Sequence, residues 1–128
     1  MMLRKSWKME RIENWAGLGF PDVFINADGQ FHLLELKYSE HNAVKLRPHQ
    51  VSFHSRNQNG SSWILVKRAP ENKTAGYEMC LYHASQAIEV SQNGLKTKPK
   101  YKQNSRDNWE NLFDAITKQK EAPQCFGY

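Results

Sequence analysis

Apolar and polar positions along the chain divide it into short blocks, most of them with a recognisable period. Leu3 to Trp15 holds neither Gly nor Pro and is predicted as a helix, with Leu3, Trp7, Ile12 and Trp15 as an uneven apolar face. Gly17 and Gly19 end it. The run FPDVFIN (Phe20 to Asn26) reads as a strand, and so does FHLLELKY (Phe31 to Tyr38). Between them stands Asp28-Gly29, a strong hairpin signal because both central residues of a type I′ turn need positive φ. Pro48 suits the first turn of a helix that runs through HQVSFHSRNQ and stops at Asn59-Gly60. SWILVKR (Ser62 to Arg68) is almost wholly apolar at its start and is therefore predicted as a central strand, followed by a strand at Tyr77–His83. A short helix over Ser85–Val90 comes next. In the last helix, near Arg106–Lys120, Trp109, Leu112, Phe113 and Ile116 recur at i, i+3, i+4 and i+7, an apolar stripe for the core or a dimer contact. This order predicts an α/β fold: a mixed sheet flanked by helices.

The hairpin decides which acids meet. With Asp28 and Gly29 as the turn, Ala27 pairs with Gln30, Phe24 with Leu33, and Asp22 falls opposite Glu35. Directly paired residues share a sheet face with Cβ atoms roughly 4.5–5.5 Å apart. Lys37 lies two residues beyond Glu35 and so shares that face as well. Two facing carboxylates repel unless something neutralises them. Lys37 does so in a structural ion pair, or a divalent metal does so with both acids as ligands. Carboxylate oxygens plus waters are the ligands Mg²⁺ accepts. A metal so held can polarise a phosphate and lower the pKa of an attacking water, and a neighbouring lysine can orient that water or stabilise developing charge.

Gly19-Phe20-Pro21-Asp22-Val23, followed after the hairpin by Leu34-Glu35-Leu36-Lys37, resembles the signature of the PD-(D/E)XK nucleases. The likeness is greatest to small phage-encoded and VRR-NUC-type members, often described as Holliday-junction-resolvase-like. An R-x-E-N segment, here Arg11-Ile12-Glu13-Asn14, and an L-x-P-x-Q segment, here Leu46-Arg47-Pro48-His49-Gln50, extend it. It covers about Arg11 to Arg68, and nothing after Arg68 contributes. The resemblance implies a restriction-endonuclease-like core in the order α-β-β-α-β-β and cleavage of DNA with Mg²⁺ or Mn²⁺. It further implies a homodimer that acts on branched or junction DNA. Asp22 and Glu35 would be metal ligands and Lys37 the catalytic lysine. Glu13 would be a further acid on the preceding helix, with Glu10 as its competitor. Gln50 would line the site and hold a phosphate or Lys37. Family members often carry a smaller residue where Phe20 stands, which bears on the width of the mouth.

Composition narrows the partners. At 128 residues, 39% of them hydrophobic, the chain suits one soluble domain, and no apolar run is long enough for a membrane span. The first residues show no secretory pattern, and Cys80 and Cys125 form no CxxC pair, so cytoplasmic free thiols are expected. Lys and Arg outnumber Asp and Glu by 18 to 13. The excess gathers in LKTKPKYKQNSR (Leu95 to Arg106), which reads either as a solvated linker or as a phosphate-binding arm. Residues 1–95 are thus expected to be the nuclease core and 96–105 a basic linker or arm. Residues 106–128 are expected to form a helix and tail that pack on the core or on a dimer partner. Arg47, Arg56, Lys98, Lys100 and Lys102 are the candidate DNA contacts. His49 and His54, five apart, do not share a helix face as zinc-binding pairs do, and are expected to face solvent or DNA. The rival readings are a nuclease acting on ordinary duplex or single strands, and a binding module of the same fold that has lost catalysis.

Overall fold

The turn at Asp28-Gly29 organises the first half of the molecule. In the computed structural model, which describes residues 7–12, 19–70 and 76–119, both turn residues have positive φ. They join β2 (Val23–Ala27) to β3 (Gln30–Ser39) in the expected register, Ala27 with Gln30 and Phe24 with Leu33.

On the outer side of β2 lies a strand, not a helix. Trp7–Arg11 forms β1 and pairs antiparallel with β2, Met9 opposite Ile25 and Glu10 opposite Phe24. The helix expected over Leu3–Trp15 is therefore corrected across its middle. The rest of that span, apart from Ile12, lies outside the described residues. The local pattern explains the change. Trp7 and Met9 turn to the core while Lys8 and Glu10 are exposed, an alternation with period two rather than the helical period. Pairing also satisfies the edge of β2, whose N–H and C=O groups would otherwise lack strand partners.

From β3 the chain crosses through α1 (Pro48–Arg56) to β4 (Ser62–Arg68), which lies parallel to β3. β5 (Glu78–His83) is antiparallel to β4. A short 3-10 turn, α2 (Ala87–Asn93) and a second 3-10 turn lead to β6 (Tyr101–Asn104), antiparallel to β5, and α3 (Trp109–Gln119) follows. The result is a mixed α/β fold whose six-stranded sheet keeps the strands in chain order. The basic stretch expected as a linker or arm over 96–105 thus contributes β6 to the sheet. β4 is central as its apolar run requires: Ser62 through Val66 are all buried.

Each face of the sheet has its own core. On one face α3 seats Leu112, Phe113 and Ile116 against Val23, Ile25, Leu34, Trp63 and Leu81, with the Trp7 and Phe113 rings 4.9 Å apart. Each such aliphatic or aromatic side chain contributes roughly 1.5–3 kcal/mol on full burial. The stripe of α3 therefore belongs to the core. On the other face Val44, Ala87 and Val90 cover Ile64, Val66, Cys80 and Tyr82. The Cys80 thiol is buried here, and burial pushes its pKa up to about 11, so it is an apolar filler rather than a nucleophile. Cys125 lies outside the described residues. Among the described residues no helix is long and apolar enough to cross a membrane.

Gly19 connects this framework to the site. Its φ is +84°, and a Cβ there would lie 2.2 Å from the backbone oxygen of His49 in the first turn of α1. The segment before Asp22 thus rests directly on α1. Phe20 reinforces the contact, its ring 5.0 Å from that of Phe53, so the large residue at this position packs on α1. Gly19→Ala is expected to lower stability by roughly 2–4 kcal/mol, combining left-handed backbone strain with overlap against a backbone that cannot yield. Urea unfolding measures this, and a loss below about 1 kcal/mol would mean that the contact is slack.

Candidate active site

Glu35 stands at the middle of β3 with only 1% of its surface exposed. The hairpin register brings it opposite Asp22, which immediately precedes β2. Asp22 is held from both sides. Its Oδ2 accepts the Leu36 N–H at 2.9 Å, and its backbone oxygen accepts the Ile12 N–H at 2.8 Å. The residue just after β1 thus holds the Asp22 backbone, and β3 holds its carboxylate.

Gln50, in the first turn of α1, ties the site to that helix. Its Nε2 donates to Glu35 Oε2 at 3.0 Å, and its Oε1 accepts from Lys37 Nζ at 2.8 Å. The same Oε1 accepts the Arg47 N–H at 2.9 Å, so one amide caps the helix and orients two charged side chains. Lys37 Nζ stays 4.0 Å from Glu35 Oε2, a loose ion pair. The structure thus brings together Asp22, Glu35, Lys37 and Gln50, all four on the face that carries α1. The sequence signal for the helix-capping role of Gln50 is Pro at the first helical position with Gln at the third, a role the motif alone did not assign.

Glu35 Oε1 is buried and has no hydrogen-bond donor among the described residues. Beside Glu35 stands another carboxylate, Asp22. Burial first, then a side-chain hydrogen bond with Asp22 and its negative charge, push the Glu35 pKa from 4.5 up to about 8, while Lys37 opposes the shift weakly. At neutral pH Glu35 therefore tends to keep its proton unless a cation takes its place. That orphaned oxygen beside a second carboxylate, both of hard-oxygen type, fits a divalent cation such as Mg²⁺, which commonly uses one or two carboxylates and completes its shell with water and substrate oxygens. Among the described residues no group of three or more His, Cys, Asp or Glu gathers about one point. Glu13 lies outside those residues. Glu10 is on β1, exposed, and its pairing with Phe24 puts it on the sheet face of Asp22 and Glu35.

The other candidates separate into near and far. Arg47 caps α1 beside Gln50 and is exposed, whereas Arg56 is at the opposite end of α1, its Nε donating to Ser52 O at 3.2 Å. Lys98 and Lys100 are exposed between α2 and β6, and Lys102 on β6 is paired with Glu78 at 3.2 Å. β6 is three strands from β3, a separation of about 14 Å at ordinary strand spacing. His49 is exposed as expected, but His54 is not. It is fully buried beneath α1, its Nδ1 3.0 Å from Ser62 Oγ. Burial, with smaller contributions from His83 and Lys37, lowers its pKa to about 4, so it is a neutral core residue.

Comparison with models of known families, with curated proteins and with solved structures gives no match to this chain.

Two opposed titrations follow. Glu35 holds its proton more tightly folded than unfolded, so its contribution is fully present below pH 4.5 and is lost as pH rises through about 8, at about 1.4 kcal/mol per pKa unit. His54 acts in the other sense, its contribution lost as pH falls from 6.5 through about 4. Above pH 6.5 Glu35 acts without opposition from His54. In chelator, the melting temperature is expected to fall between pH 6.5 and 8, and Glu35→Gln to flatten that slope and raise stability at pH 8. Mg²⁺ or Mn²⁺ at pH 8 should raise the melting temperature of the wild type and leave the variant unmoved. A slope in chelator that Glu35→Gln leaves intact would mean that the carboxylate pair is not what titrates.

Proposed function

We propose that this protein is a Mg²⁺- or Mn²⁺-dependent endonuclease with a restriction-endonuclease-like core, hydrolysing phosphodiester bonds in DNA. One observation carries this: a fully buried Glu35, beside Asp22 and with one oxygen lacking a donor among the described residues, shares a sheet face with a lysine anchored by Gln50. A sheet that needed only a neutral interior would place an apolar residue at Glu35, because burying a carboxylate against another is unfavourable unless a proton or cation sits between them.

Asp22 and Glu35 would hold the metal, which supplies Lewis-acid polarisation of the scissile phosphate and a bound water of lowered pKa. Gln50 prevents Lys37 from collapsing onto Glu35. The ammonium stays 4.0 Å from the carboxylate, leaving N–H donors for the attacking water or for a phosphoryl oxygen that gains charge. Leu36 N–H keeps one Asp22 oxygen engaged, so the other remains for a ligand. The likeness of Gly19–Lys37 to the PD-(D/E)XK signature extends the proposal to branched or junction DNA and to a homodimer, which sedimentation measures directly.

The test is cleavage of labelled four-way junction, flap, duplex and single-stranded DNA in Mg²⁺ and in chelator. Asp22→Asn and Glu35→Gln are expected to abolish Mg²⁺-dependent cleavage while DNA binding stays level or tightens, since negative charge near the phosphates is removed. Lys37→Ala should lower the rate roughly 10²–10³-fold. Preference for the junction supports structure specificity, and equal cutting of all four makes the enzyme non-specific. DNA binding with no cleavage by the wild type would identify a binding module that has lost catalysis.

A further inference from the structure

Beside the site, a groove of about 830 Å³ opens between the segment 42–47 and the end of α2, and Lys37 itself lines it. Its other charged residues are Lys45, Arg47 and Lys96, and among the described residues no Asp or Glu lines it. The remaining polar groups on its walls, such as Asn42 and Asn93, are neutral. Four cations with no acid among them, in a cleft that reaches the catalytic lysine, form a surface for a polyanion.

The groove is built rather than incidental. Its two walls are joined where the Leu95 N–H donates to Asn42 O at 2.8 Å. Gly94 permits that approach, since a Cβ there would lie 2.0 Å from the Asn42 oxygen. Ser39 Oγ donates to Ala43 O at 2.8 Å and holds the start of the segment to β3. Beyond it, Val44 is buried and Leu46 packs on the same apolar cluster, while Lys45 and Arg47 between and after them are exposed. Alternation along an extended stretch thus commits the apolar side chains to the core and presents two cations about 7 Å apart. That separation is comparable to the distance between neighbouring phosphates on one strand. Lys96, on the opposite wall, faces the same space.

We propose that the sugar-phosphate backbone flanking the scissile bond lies in this groove, its phosphates contacted by Lys45, Arg47 and Lys96. The assignment rests on the nuclease reading of the adjoining site and adds to it the track that the strand follows away from Lys37. It also moves the electrostatic footprint from Lys98, Lys100 and Lys102 to the other end of the basic stretch. Lys102 is paired with Glu78, which also holds Arg68, and none of Lys98, Lys100 and Lys102 lines the groove.

The test is a salt titration of binding in chelator, using fluorescent single-stranded and duplex oligonucleotides of one sequence. The proteins compared are the wild type, Lys45→Ala/Lys96→Ala and Lys98→Ala/Lys100→Ala. All four replaced side chains are exposed, and unchanged melting temperatures verify the fold. Every cation that no longer neutralises a phosphate of duplex DNA lowers the log–log salt slope by about 0.9, so the groove variant should lose nearly two units of slope. Its affinity should fall by roughly one to two orders of magnitude at about 0.1 M salt. The Lys98/Lys100 variant should keep the wild-type slope. An unchanged slope in the groove variant, with wild-type binding and cleavage intact, overturns the groove alone. A wild type that binds neither oligonucleotide also overturns the groove, whereas the nuclease reading falls only if none of the junction, flap, duplex and single-stranded substrates is cleaved in Mg²⁺.

Discussion

A carboxylate buried in the middle of a sheet, facing a second carboxylate, is the constraint on which the rest of this molecule depends. Glu35 has almost no contact with solvent, one of its oxygens has no donor among the described residues, and a second carboxylate, Asp22, stands beside it. Such an arrangement is unfavourable in a bare protein and becomes favourable once a proton or a divalent cation enters. Much of the surrounding structure acts to keep the pair in place. Backbone groups of Ile12, just after β1, and of Leu36 in β3 hold Asp22, and Gln50 holds Glu35 and Lys37 at a set distance.

The fold supplies that rigidity through contacts that serve packing and chemistry together. Gly19 lets the segment before Asp22 rest on the first turn of α1, and the same turn carries Gln50. The N–H of Arg47, one of the unsatisfied donors at the start of α1, is capped by the oxygen that also holds Lys37. Farther along α1, buried neutral His54 bonded to Ser62 fastens the helix to the start of β4. Displacing α1 would therefore disturb helix capping, the core and the site at once. On the other side of Lys37, the segment 42–47 buries Val44 and exposes Lys45 and Arg47, so the charged groove is a consequence of how the core closes.

The placement of the site's acids and lysine was legible because hairpin geometry is local. Asp28-Gly29 specifies the turn, the turn specifies the register, and the register alone brings Asp22 opposite Glu35 with Lys37 on the same face. The stripe of α3, the apolar run of β4 and Pro48 at the start of α1 were legible for the same reason, each being a periodic or short-range signal. Where the period was short and mixed with charge, the sequence misled. Trp7–Arg11 has too few apolar positions to separate a half-exposed edge strand from a ragged helix, and pairing with β2 settled it. Tyr101–Asn104 looked like part of a basic linker, because a four-residue edge strand owes its existence to the neighbour it pairs with.

By itself, then, the sequence determined the hairpin, its acids and the lysine beside them, since these depend on residues close together in the chain. Only the tertiary structure decided how deeply Glu35 is buried, that Gln50 joins Glu35 to Lys37, and that His54 lies in the core rather than near a ligand. It also decided which lysines of the basic stretch come near the site: Lys96 lines the groove with Lys37, while Lys102 is held by Glu78 on an outer strand. Burial and long-range electrostatics are sums over neighbours from distant parts of the chain, and those neighbours are chosen only when the sheet closes and the helices settle on its faces.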